Sequence, residues 1–233
     1  MPFTEEQFFA IFAQYNEAVW PLPVAAYVMG LIVLGLLFWE SRASAILIPT
    51  FLAAFWVING AGYHATYFVQ INPTAPVFSV LFLFQALFLG VAPLVFGNMR
   101  FRLRRDIRTI AALALIVFAM LFYPLWGWFA GHVYPALPVF GLAPCPTTIF
   151  TIGVLFLADW TAARWLLIVP GIWAGIGGSA AILLGIPQDW GLVAALAAIA
   201  LFAIGRWREC GYAMHGVGAA RSTDSGADFP RGK

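Results

Sequence analysis

An all-α fold, a bundle of seven membrane-spanning helices, is what this sequence predicts, on three observations: its composition, the length of its apolar segments and the placement of its basic residues. Of 233 residues, 63% are hydrophobic and 9% charged, against about a quarter charged in a soluble domain. Lipid is the solvent that suits such a chain. Backbone polar groups inside a bilayer need partners within the spanning structure, so apolar runs without two-residue alternation become helices and not a barrel.

A span takes roughly 20 apolar residues at about 1.5 Å each. Seven segments approach that length: Trp20 to Phe38, Ala43 to Ala61, Val77 to Phe96, Ile107 to Phe129, Thr147 to Asp159, Leu166 to Ile186 and Gly191 to Ile204. Basic residues follow alternate segments. Arg42 comes after the first, Arg100, Arg102, Arg104, Arg105 and Arg108 join the third to the fourth, Arg164 follows the fifth, and Arg206, Arg208, Arg221, Arg231 and Lys233 follow the seventh. This alternation predicts an outer amino terminus and a cytoplasmic carboxyl terminus. Trp20, Trp126, Trp128 and Trp190 mark the expected outer borders, and Trp39, Trp160, Trp165 and Trp207 the inner ones, as interface anchors do. Beside a span, the arginine cluster reads as a topology signal in which Arg100, Arg102, Arg104 and Arg105 meet anionic lipid headgroups, not nucleic acid.

Residues 1–19 lack the basic start and continuous apolar stretch of a signal peptide. Thr4 and Gln7 form a capping-box pattern, Glu5 and Glu6 suit the positive end of a helix dipole, and Phe8, Ile11, Phe12 and Tyr15 share one face. An interfacial amphipathic helix is expected there, ahead of the spanning domain at 20–207. Residues 208–233 turn to Gly, Ser, Asp and Arg and read as a disordered cytoplasmic tail. Cys145 and Cys210 fall on opposite faces, which excludes a disulfide between them within one chain.

The stretch from Gly131 to Thr148, GHVYPALPVFGLAPCPTT, gathers polar groups in a greasy chain. The segment after it, thirteen residues from Thr147, is roughly 20 Å of helix against a hydrocarbon core of about 30 Å. Pro144 and Pro146 favour a helix start. The preceding loop is therefore expected to fold inward and bury that start beneath an outward cavity, with Thr147 and Thr148 capping it and Cys145 alongside. A buried helix start suits an anion or carboxylate. The rival is a short lipid-facing helix in a locally thinned bilayer.

His64, in GYHATYF, and His132, in GHVYP, follow the second and fourth segments on the same predicted face, with Glu17 at the end of the surface helix and Asp189 in IPQDW. A metal set drawn from His64, His132, Glu17 and Cys145 is one reading, although no two stand at a metal-binding spacing. Asn59, just ahead of GAGYH, extends the expected ligand-binding set of Cys145, Thr147, Thr148, His64, His132 and Glu17. Gln85 reads as an interhelical hydrogen bond, and Gly171, Gly175 and Ser179 as a close-packing face within the chain. With Lys233 as the sole lysine, a retinal Schiff base is excluded, and no acidic residue near a span centre supports a proton relay.

YNEAVWP at Tyr15 to Pro21, GYH with its aromatics at Gly62 to Phe68, INP at Ile71 to Pro73, CPTTIFT at Cys145 to Thr151 and GGSAAILLGIPQDWGL at Gly177 to Leu192 resemble a family of bacterial integral membrane proteins known only as a domain of unknown function. The resemblance covers nearly all of the chain except the tail. It implies a bacterial inner membrane and brings no activity or cofactor. Binding, transport or sensing of a small solute or ion is the leading expectation, with an intramembrane metal-dependent enzyme or an accessory subunit of a membrane complex as rivals.

Overall fold

The computed structural model describes residues 2–97 and 99–205, and among them the regular structure is helical, with one isolated antiparallel bridge between Phe101 and Ala158. The expectations about the tail, Cys210, Trp207 and the basic residues from Arg206 onward lie outside the described residues. The helices are α1 (Glu5–Ala18), α2 (Leu22–Leu36), α3 (Arg42–Gln70), α4 (Ala75–Val95), α5 (Ile107–Phe129), α6 (Pro144–Phe156), α7 (Trp160–Leu166), α8 (Ile168–Leu183) and α9 (Pro187–Gly205). Four of them, α3, α4, α5 and α9, are long and apolar enough to cross a membrane. Counting the bent pairs α1–α2 (86°) and α7–α8 (42°) as one span each gives six. The remaining predicted segment is α6, apolar but short. Outward faces carry large exposed apolar side chains such as Leu94, Ile107, Phe129 and Leu201, a surface that water does not tolerate in bulk.

α1 starts as the sequence predicts. Thr4 Oγ1 accepts from the Gln7 N–H at 3.3 Å and Gln7 Oε1 from the Thr4 N–H at 2.9 Å. Ile11, Phe12 and Tyr15 are buried, Phe8 half so. Lying at 86° to α2, the helix crosses the end of the bundle.

α3 runs beyond its predicted end at Ala61 because Ile58–Tyr67 winds as a π-helix, so His64 lies inside a helix and not in a loop after it. Such wide turns recur at functional sites. A second one, Phe118–Phe122, precedes Tyr123 in α5. Pro124 has no N–H to offer that turn, and the Met120 carbonyl there accepts the Tyr27 hydroxyl at 3.1 Å. At the other end of α5, Asp106 caps the helix by accepting the Thr109 N–H at 2.8 Å. That bond holds the Asp106 carboxyl below its ordinary range.

All thirteen residues of α6 are buried. The lipid-facing alternative is thereby removed: α3, α5, α7 and α8 pack against α6. Trp56 Nε1 donates to Thr151 Oγ1 at 3.0 Å, and Gly153 lets α5 approach so closely that a Cβ there would meet the Ala112 carbonyl oxygen at 2.9 Å. The loop before α6 folds inward. Gly141, at φ +79°, sits where a Cβ would lie 2.7 Å from Ala26, and its carbonyl accepts Asn59 Nδ2 at 3.0 Å. The carboxyl end of α6 meets the arginine loop: the Arg102 N–H donates to the Leu157 carbonyl at 2.8 Å, and the Arg108 guanidinium donates to the Ala158 carbonyl while lying 4.4 Å over the Phe202 ring. A cation at this end complements the helix dipole.

Gln85 Nε2 donates to the Leu166 carbonyl at 2.9 Å, the interhelical bond expected of it. Gly171 and Gly175 face Ile199 and Leu196 of α9, so this small-residue face packs within the chain.

Candidate functional site

A cavity of about 120 Å³ lies at the amino-terminal end of α6. Phe3 and two α1 residues, Phe8 and Phe12, line it from one side, and the π-helical stretch of α3 adds Tyr63 and His64, with Phe68 after them. α4 contributes Phe78, α5 Tyr123, α8 Trp173 and Ser179, the first turn of α9 Asp189, and the start of α6 Pro144 and Cys145.

Two kinds of polar group meet there. Asp189, 1% exposed, accepts the Tyr123 hydroxyl at 2.6 Å. The Cys145 thiol interacts with both. Asp189 sits in the first turn of α9, where the helix dipole favours a carboxylate. His64, in contrast, is fully buried and neither ring nitrogen has a hydrogen-bond partner. Its ring packs edgewise among Phe82 (centroids 4.7 Å apart), Trp173 (5.1 Å), Phe68 (5.7 Å) and Phe78 (5.8 Å). Trp173 Nε1 and the Tyr63 hydroxyl are also buried without partners. Buried polar atoms are paired in the great majority of cases, so three unpaired groups around one cavity call for a ligand or water to complete them.

Of the residues the sequence singles out, His64 and Cys145 line this cavity. Asn59 does not extend it: its Nδ2 is used on the Phe55 carbonyl (2.8 Å), the Gly141 carbonyl and Thr147 Oγ1 (3.3 Å). Thr147 and Thr148 do not cap α6. Ala143 is the N-cap residue, with no side-chain cap bond, and Pro144 and Pro146 remove two of the N–H groups that a cap would serve. Thr147 and Thr148 sit inside the first turns instead, both fully buried. His132 stacks on Phe9 (3.5 Å between centroids) with Nε2 3.7 Å from Glu5 Oε1, anchoring α1. Glu17 is exposed on α1. Among the described residues, no three His, Cys, Asp or Glu side chains gather to hold a metal ion, so the set of Glu17, His64, His132 and Cys145 does not converge.

Tyr123, Tyr63 and Trp173 line the cavity although sequence reasoning passed over them, and Asp189 it counted among the outer-face groups able to serve as a ligand or general base without putting it in the binding set. Aromatics inside apolar spans look like packing; the available signals were the Tyr63–His64 adjacency and an acid at a predicted helix start.

A family of unknown function (DUF6064) matches residues 5–210. No curated protein and no solved structure matches the chain.

Proposed function

The chain belongs to this family, which lends it no activity, and we propose from its own geometry that it is a multi-pass protein of a bacterial inner membrane whose cavity binds a small solute or ion from the outer side. The observation that carries this reading is the cavity itself, where the buried Asp189 carboxylate, the Cys145 thiol and the unpaired nitrogens of His64 meet at the start of a wholly buried helix. Ionisable groups inside a membrane protein are costly and are kept where they work. In this reading α6 is the fifth, central span that brings the count to seven, and α1 lies at the outer interface as a roof. The arginine loop meets the opposite end of α6 from the cavity, which supports an outward-facing site under the positive-inside rule. With its acid at a helix end and none at a span centre, the chain is better suited to sensing or passive passage than to proton-coupled transport. A metal-dependent enzyme or an accessory-subunit role draws no comparable observation.

Cys145 provides the test. In intact cells carrying a Cys210→Ser variant, a small membrane-impermeant thiol reagent applied outside is expected to label Cys145 slowly, and a bulky maleimide not at all. Equal and rapid labelling by both would mean an open loop and no pocket.

A further inference from the structure

We infer that the cavity takes a small organic cation, an ammonium group carrying methyl or short alkyl substituents, held by the Asp189 carboxylate and a cage of aromatic rings. This rests on the solute-binding reading above and names the ligand class.

Charge is the first argument. Among the described residues, Asp189 is the one acidic side chain lining the cavity, and no lysine or arginine lines it. Burying a carboxylate is expensive unless a counter-charge joins it, and the Tyr123 hydroxyl supplies a hydrogen bond without a charge. An anion is opposed twice. It would meet Asp189, and the α6 start has lost two N–H donors to Pro144 and Pro146.

The wall is the second argument. Tyr63, Phe68, Phe78 and Trp173 surround the space and Phe8 and Phe12 line the α1 side. Ring faces attract cations, indole most of all, and aromatic cages are a recurrent answer to alkylated ammonium groups. Calcium and magnesium sites are built on carboxylates among about six or more oxygen ligands, and the described lining offers Asp189 as its single carboxylate among aromatic rings. Size agrees with a small ligand. At about 120 Å³ the space is far below the roughly 300–1,000 Å³ of drug-sized sites, so it suits a handful of heavy atoms. A protonated amine also has N–H donors for an unpaired nitrogen of His64, since a neutral imidazole keeps one nitrogen as an acceptor.

The experiment uses the purified full chain in detergent, with thermal unfolding and tryptophan fluorescence read against four probes: trimethylammonium, tetramethylammonium, the neutral near-isostere tert-butanol, and acetate, each at matched sodium chloride. Saturable stabilisation by the two ammonium ions alone is expected. Asp189→Asn should weaken it by about tenfold or more, the loss of one charge-assisted partner, and Trp173→Leu should weaken it and remove the fluorescence response. If Asp189→Asn does not fold, the wild-type selectivity and Trp173→Leu decide. Stabilisation by tert-butanol or acetate equal to that by the ammonium ions overturns the cation assignment and leaves the pocket standing. Silence toward all four probes, together with rapid labelling of Cys145 by small and bulky reagents alike, overturns both.

Discussion

Asn16 joins the surface helix to the inward loop through one side chain. Its Nδ2 donates to the carbonyls of Pro135 (2.6 Å) and Leu137 (2.8 Å), and the Tyr134 hydroxyl donates back to the Asn16 carbonyl at 3.2 Å. Asn16 is fully buried, so Asn16→Leu leaves two acceptors without their donor. Thermal unfolding should show a loss of about 1–3 kcal/mol and weaker closure of α1 over the cavity, read as faster labelling of Cys145. An unchanged midpoint and labelling rate would refute this. The sequence marks Asn16 only as a polar residue in an amphipathic helix; its partners lie more than a hundred positions away. His132 is the converse case. A histidine in a polar loop invites a catalytic reading, yet stacking on Phe9 and the nearby Glu5 make it an anchor, a difference that chain position alone cannot register.

At the scale of elements, α6 was the most legible. Two prolines and thirteen residues announce a short helix with a defined start, and the hydrophobic deficit announces that something covers it. What remained hidden is that α6 is enclosed on every side, which depends on contacts such as Gly153 against Ala112 and Ile116. Gly153→Val therefore forces backbone apart, because the Ala112 carbonyl cannot rotate away; a loss of about 1–3 kcal/mol is expected. Gly35→Ala in α2 meets nothing within 4 Å and should be neutral or gain up to about 1 kcal/mol from helix propensity. Parallel thermal melts in detergent check the pair, and equal effects would show that the α5–α6 approach is not tight. The π-helix at Ile58–Tyr67 had no sequence signal. Apolar periodicity reports a helix, whereas the extra residue per turn that brings His64 to the cavity wall is set by what packs against it.

For the whole molecule, the cavity and the arginine loop meet opposite ends of α6. In a chain with Cys145 and Cys210 replaced by serine, Glu17→Cys should be labelled by impermeant reagents only from outside and Arg105→Cys only after permeabilisation. Labelling of both from one side would overturn the proposed orientation. The Arg102–Glu40 pair at 3.2 Å is partly exposed and contributes little to stability.

By itself the sequence determined that the protein is helical and apolar, where its apolar helices start to within a few residues, and that a proline-marked helix start falls at CPTT. Those properties follow from local composition, proline geometry and periodicity, each readable over a short window. Only the tertiary structure decided which polar groups share a space. It selected Asp189, Tyr123 and Trp173 to stand beside His64 and Cys145, and it turned Asn59, Thr147 and His132 to internal support. Convergence of that kind depends on the packing of seven separate helices around one small cavity, and no single stretch of chain encodes it.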